Sequence, residues 1–220
     1  MDSSATTSVS VIAEVLKISS SSGSSDYIEP ISNTVAEVLQ IFSDLGSSSY
    51  IGEPVSSTEH ALQAAYLAKL ANQPDEIIAG ALLHDLGHLI GLSAPDKYER
   101  MGHCGTMAHE GIGAAFLEQR GFPKDTVALV RNHVNAKRYL TWKDKSYFDR
   151  LSDASKTTLG YQGGPMSSEE AAKFEVDPMS SVILLMRTWD EAAKIPGRDV
   201  PSLLSYAPML EALIVKNKSL

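Results

Sequence analysis

From Ser56 onward apolar residues recur every three or four positions, the spacing of helices that bury one face. Ser57 is placed to cap a helix over 58–71. Pro74 suits the first turn of a helix reaching about 89, with Ile77, Ile78, Ala81, Leu82 and Leu86 on its apolar side. A helix over 108–120 stops at Gly121, and Pro123 opens another to about 140. Ser167 and Glu170 have capping-box spacing, and Asp177-Pro178 starts a helix from 179 to about 194. A last helix covers 202–216. No alternating strand pattern appears, so the expected fold class is all-α, a bundle with its site on facing helices.

The first 49 residues differ from the rest. Residues 19–25 form a Ser-rich stretch of low complexity that cannot pack by itself. A tandem duplication surrounds it: Ala13 to Leu16, Gly23, Tyr27, Glu29 and Pro30 are matched by Ala36 to Leu39, Gly46, Tyr50, Glu53 and Pro54. The first copy lacks the glycine that separates isoleucine from glutamate in the second, so Tyr27 and Glu29 cannot present the geometry of Tyr50 and Glu53. Residues 1–49 are therefore expected to be an N-terminal extension carrying a helix-plus-lid duplication, and residues 50–220 the functional domain. The first copy reads as a passive helical extension, with a decoy lid as the sharper alternative.

Composition narrows the chemistry. Lys plus Arg number 19 against 27 Asp plus Glu, a formal charge of −8, which argues against nucleic acid or an anionic membrane as partner. Hydrophobic residues make up 43%, enough for a sizeable core. The single cysteine, Cys104, excludes an intramolecular disulfide framework and thiolate-rich metal sites, and points to a reducing compartment. With no secretory pattern and no apolar run long enough to span a membrane, a cytoplasmic location is expected.

Six histidines remain to be placed. His84-Asp85 stands inside the apolar stretch from Ala79 to Ile90, where an ionised carboxylate is costly unless something pairs with it. On a continuous helix His84 and His88 share one face and Asp85 lies about 100° away, a fan able to serve two adjacent metals with Asp85 between them. His60, His109 and His133 each fall on a separate expected helix, and Asp190 ends the apolar stretch from Val182 to Met186. Any one of these could be a satisfied core residue. Together they suit a mixed His and carboxylate site for Fe, Mn or Zn.

The order His60, His84-Asp85, His109, His133, Asp190 resembles the HD-domain superfamily of metal-dependent phosphohydrolases and its di-iron oxygenase branch. Tyr50-Ile51-Gly52-Glu53, the segment from His133 through Lys137 to Tyr139, and the segments from Leu151 to Ser155 and from Tyr161 to Pro165 resemble the phosphonate-cleaving oxygenases of that branch. The resemblance implies an HD-domain helical bundle with the metal site at its centre. It also implies an Fe-dependent oxygenase that uses O2 as co-substrate to cleave the C–P bond of a 1-hydroxy-2-aminoethylphosphonate or its trimethylammonio relative. The products would be phosphate and glycine or glycine betaine.

By the same resemblance a mixed-valence Fe(II)/Fe(III) pair is bridged by Asp85, with His60, His84 and Asp190 on one iron and His109 and His133 on the other. Tyr50 would close the resting site, held by Glu53, and His88 would be a donor to the substrate or to O2. Lys137 and Arg187 supply cations for the phosphonate, with Ser155, Thr158 and Gln162 as further contacts. Glu53 would meet an ammonium, whereas a trimethylammonium would favour the faces of Tyr50 or Trp189. His103 and Cys104 acquire no role, and a homo-oligomer is compatible with the chain. The competing readings are a hydrolytic phosphohydrolase or phosphodiesterase using the same metals, and a non-catalytic HD-type binding module.

Overall fold

A computed structural model describes residues 32–50 and 52–219. The first copy of the duplication lies almost wholly outside the described residues. Among those described, eleven α-helices and one 3-10 turn account for the regular structure. The only strand-like pairings among the described residues are isolated bridges, Ser49 with Ser56 and Arg100 with Thr106. The all-α expectation holds.

The helices are α1 (Asn33–Leu45), α2 (Ser57–Leu70), α3 (Asp75–Leu83), α4 (Leu86–Ser93), α5 (His109–Gln119), α6 (Lys124–Lys143), α7 (Lys145–Arg150), α8 (Asp153–Tyr161), α9 (Ser168–Glu175), α10 (Ser180–Ala192) and α11 (Ala207–Lys218). The 20-residue α6 is the axis of the domain, with α3, α5 and α10 packed along it and α2 closing the bundle against α3 and α10. The starts follow local chemistry. Ser56 and Ser167 form full capping boxes with Glu59 and Glu170, each hydroxyl accepting the third backbone N–H while the glutamate accepts from the cap.

Helix α1 falls in the segment expected as an N-terminal extension, yet Val35, Val38, Leu39 and Phe42 are buried in the same apolar cluster as Leu82, Leu129, Ile183 and Leu210. Burying such side chains contributes about 1.5–3 kcal/mol each before conformational entropy is counted.

One element departs from expectation where it matters most. The continuous helix over 74–89 is broken: α3 ends at Leu83, His84 and Asp85 form a turn, and α4 begins at Leu86. Asp85 sits at φ −101°, ψ 9°, in the sparsely populated bridge region where site residues often occur. His84 and His88 therefore do not share the face of one helix, and the fan drawn from helical periodicity is replaced by a corner that thrusts Asp85 inward.

Candidate metal centre

Five segments each deliver one or two polar side chains to a single buried point. His60 comes from the first turns of α2, His84 and Asp85 from the α3–α4 corner, His109 from the first residue of α5, His133 from the middle of α6, and Asp190 from the end of α10. Two close backbone approaches make the convergence possible. A Cβ on Gly87 would lie 1.9 Å from the His109 carbonyl oxygen, so only glycine lets α4 and α5 meet there. Ala108, immediately before His109, has φ 53°, a left-handed conformation that costs a non-glycine residue about 1–2 kcal/mol. That strain falls at the residue that aims His109 inward.

Asp85 divides these groups. Its Oδ2 is 3.3 Å from His84 Nε2 and 3.8 Å from His60 Nε2. Its Oδ1 is 3.2 Å from His109 Nε2 and 3.4 Å from His133 Nε2. On the first side Asp190 Oδ1 lies 3.4 Å from His60 Nε2, so His60, His84 and Asp190 form one cluster of ligand atoms.

Hydrogen bonds on the far side of three of the four rings fix which nitrogen faces inward. Nδ1 of His60, His84 and His133 lies 2.9, 2.9 and 2.8 Å from the carbonyl oxygens of Ala193, Ala81 and Val130. A carbonyl only accepts, so each Nδ1 carries the proton and each neutral ring turns an Nε2 lone pair inward. His109 Nδ1 lies 3.3 Å from a Glu110 carboxylate oxygen without completing a hydrogen bond, so the orientation of this ring rests on its Nε2, 3.2 Å from Asp85 Oδ1. The inward Nε2 atoms then approach in pairs, His60 to His84 and His109 to His133, both at 3.1 Å. Two lone pairs cannot face each other at that distance without positive charge between them.

The electrostatics express the same demand. Burial opposes a charged His84, but Asp85 and then Asp190 outweigh it and raise its pKa to about 9. Burial likewise opposes ionised Asp85 and Asp190, but charge from His84 and Arg187 respectively holds both well below the usual carboxylate range. Either protons or metal ions can answer this need, and a donor set of four imidazoles and two carboxylates suits two borderline transition-metal ions with Asp85 shared.

His88 is different. Its Nδ1 accepts from the Thr106 N–H at 2.9 Å, which leaves the proton of the neutral ring on Nε2, 4.0 Å from Asp85 Oδ1. It stacks on His109 at 3.8 Å and offers a donor to the site rather than a lone pair. Gly105 allows this approach, since a Cβ there would lie 2.6 Å from His88 Nδ1.

The geometry decides the family. A model of the HD domain matches residues 58–176, more than half of the chain. This chain belongs to the HD-domain family. Among curated proteins it is 44% identical over 169 residues to [1-hydroxy-2-(trimethylamino)ethyl]phosphonate dioxygenase (glycine-betaine-forming) of Leisingera caerulea, covering 76% of this chain and 83% of that protein. It is 39% identical over 164 residues to hydroxymethylphosphonate dioxygenase of Gimesia maris, covering 74% and 79%. It is also 39% identical over 159 residues to an uncharacterized protein of Acanthamoeba polyphaga mimivirus, covering 72% of each.

In this HD domain a cavity of about 50 Å³ opens onto Asp85, His109, His133 and Asp190. That is room for a few waters. Tyr50 covers the first side, its ring stacked on His60 at 3.9 Å and 13°. Burial, followed by Asp85 and Asp190, pushes its phenol well above the usual tyrosine range. Glu53 is expected to hold the Tyr50 side chain, but its Oε1 instead accepts from Ser152 Oγ at 2.9 Å and Lys194 Nζ at 2.6 Å. What ties it to Tyr50 is backbone, the Glu53 N–H donating to the Tyr50 carbonyl at 2.7 Å.

Lys137, Ser155, Thr158 and Gln162 line the same cavity. Lys137 Nζ donates to Thr158 Oγ1 at 2.6 Å and to the Ser155 carbonyl at 3.2 Å. Burial, then the nearby Arg187 charge, lowers its pKa to about 7. Gln162 Oε1 is buried without a hydrogen-bond partner. Arg187, expected as a second phosphonate cation, has its guanidinium committed elsewhere: it donates to Asp190 Oδ2 and to Tyr147 Oη at 2.9 Å, and pairs with Glu191 at 3.1 Å. Trp189 packs in the apolar core and does not line the cavity. Exposed His103 sits outside this cavity.

Sequence reasoning missed Glu110 behind His109, the Tyr147–Arg187–Glu191 brace behind Asp190, and Ser152 and Lys194 around Glu53. Glu110 is adjacent to a candidate ligand and could have been flagged. Glu191, one helical turn after Arg187, could have been flagged likewise; Tyr147, Ser152 and Lys194 lie 40 to 141 positions from their partners, and no local pattern marks them.

Proposed function

We propose that this HD domain is a di-iron oxygenase that uses O2 to cleave the C–P bond of a 1-hydroxyphosphonate. The observation that carries the reading is the division of Asp85 between two pairs of inward-facing imidazole lone pairs. Overall, one O2 accepts four electrons from C1, whose C–H and C–P bonds break; C1 leaves as a carboxylic acid and phosphorus as inorganic phosphate. For a 2-amino or 2-trimethylammonio substrate the acid is glycine or glycine betaine.

When bound, the Fe(II)/Fe(III) pair supplies the Lewis acidity and the electron transfer that O2 chemistry requires. The protein supplies the rest. His60, His84 and Asp190 hold one ion, His109 and His133 the other, and Asp85 both. Lys137 in its charged form, with Ser155, Thr158 and Gln162, receives the phosphonate end by charge-assisted hydrogen bonds. Arg187 acts through Asp190, fixing its carboxylate orientation. His88 Nε2–H donates toward the reacting groups.

Tyr50, stacked on His60 at the cavity, is expected to move aside as substrate enters. Glu53 then selects the substituent carried on C1. A substrate ammonium replaces Lys194 as its partner, whereas a substrate without nitrogen leaves that pair intact. The relatives act on one substrate of each kind, so both belong in the test.

The test is phosphate release by iron-loaded protein with hydroxymethylphosphonate and with the 2-amino and 2-trimethylammonio substrates, with O2 consumption followed in parallel. Release in a 1:1 ratio to O2 consumed, and none without O2, is expected for at least one of the three. Release without O2 would overturn the reading in favour of hydrolysis, and binding without turnover would favour a sensing module.

A further inference from the structure

The domain contains a second cavity, of about 180 Å³, that reaches the metal centre by a separate way. It shares Tyr50, Asp85 and His88 with the phosphonate cavity, and its other lining residues are its own. Those nearest the core are apolar: Phe42, Ala61, Leu82, Leu86, Leu89 and Leu92. At its outer end stand exposed Ser49, Arg100 and His103, on the short 49–56 pairing and the 100–106 loop.

The two cavities differ in what they can admit. The first is largely polar, with Lys137, Arg187 and Lys194 beside the carboxylates Glu53, Asp85 and Asp190, and offers an anion the Lys137 end. In the second, the only charged side chains are Asp85 at its inner end and Arg100 at its mouth, and an organophosphonate anion gains nothing along a wall of leucines while losing its hydration. A small apolar molecule loses nothing there. Engineered apolar cavities of about 150 Å³ take up xenon or benzene for this reason.

We propose that this cavity is the entry route and holding site for O2, bringing it to Asp85 and His88 while the phosphonate occupies the other cavity. The proposal rests on the oxygenase reading above. It gives the two substrates of one reaction separate entrances, so a bound phosphonate does not block O2. It also gives His103 a place, at the mouth of this route, and makes α1 part of the machinery through Phe42.

Leu92 is partly buried, lines the route and touches neither candidate ligand nor phosphonate pocket. The experiment has two arms. Crystals of the full chain under xenon pressure should show a xenon atom among Leu82, Leu86, Leu89 and Leu92. Leu92→Trp, which fills the route, should raise KM for O2 at least fivefold and leave KM for the phosphonate unchanged, while Leu92→Ala should not raise KM for O2. Should Leu92→Trp fail to fold, the xenon arm and Leu92→Ala decide. No xenon in the cavity, or an unchanged KM for O2 in folded Leu92→Trp, would overturn the route while leaving O2-dependent turnover intact. Loss of O2 dependence in the wild type would instead overturn the oxygenase reading.

Discussion

The two sides of Asp85 are built from the same parts to different ends. On the first, His60 and His84 face Asp190, a second carboxylate braced from behind by Arg187, and Tyr50 lies flat over His60. On the second, among the described residues, Asp85 is the one carboxylate facing the inward Nε2 atoms of His109 and His133, with Glu110 behind His109; a third imidazole, His88, stacks on His109 with its proton turned inward. The first side is thus more negative and more fully enclosed, suited to holding an ion firmly. The second offers fewer carboxylate oxygens and lies beside a hydrogen-bond donor and the polar groups of α6 and α8, where an ion would be held with fewer protein ligands. One corner residue serves both because the helix breaks at His84-Asp85.

The comparison predicts unequal damage. Asp190→Asn should be the most severe, removing a charge from the first side and leaving the buried Arg187 guanidinium without its main partner. About 3–5 kcal/mol of stability should go with it, read from denaturant unfolding, together with tight binding of one of two metal ions. Glu110→Gln acts only on the second side, where the carboxylate lies 3.3 Å from His109 Nδ1. A loss of about 10- to 100-fold in affinity for one ion is expected by metal titration, with the other ion unaffected. Equal loss of both ions in either variant would break the distinction.

Lys137 sharpens it further. Its pKa of about 7 in the free protein means that it is charged below pH 7 and neutral above. Phosphonate binding needs the charged form, so kcat/KM should fall as pH rises through about 7. Lys137→Arg, charged at every accessible pH, should remove that fall without changing metal content. The smallest effect belongs to Ala108→Gly, which relieves the left-handed strain before His109; thermal unfolding should show a gain of about 1 kcal/mol.

The differing legibility of the two sides has a physical cause. Helix starts were readable where a serine and a glutamate three residues later act locally, as at Ser167 and Glu170. The candidate ligands were readable because an ionisable residue inside an apolar stretch demands a partner. The corner was not, because the stretch from Ala79 to Ile90 is helix-competent throughout and holds no proline. The break goes with a tertiary contact, the close approach of α5 at Gly87, and with the His84 Nδ1–H bond to the Ala81 carbonyl three residues back. The pairing of Arg187 with Asp190 is an i,i+3 contact on one helix and was open to local reading, whereas that of Lys194 with Glu53 depends on how distant segments meet. The tautomer of His88 hangs on a single backbone N–H, that of Thr106, 18 residues away.

The central claim is that Asp85 shares two ions between two imidazole pairs while His88 holds none. Metal analysis of anaerobically iron-loaded wild type, Asp85→Ala and His88→Gln tests it most directly. The account predicts two irons per chain in the wild type, two in His88→Gln, and loss of both from Asp85→Ala; one iron in the wild type, or loss of an iron on replacing His88, would contradict it.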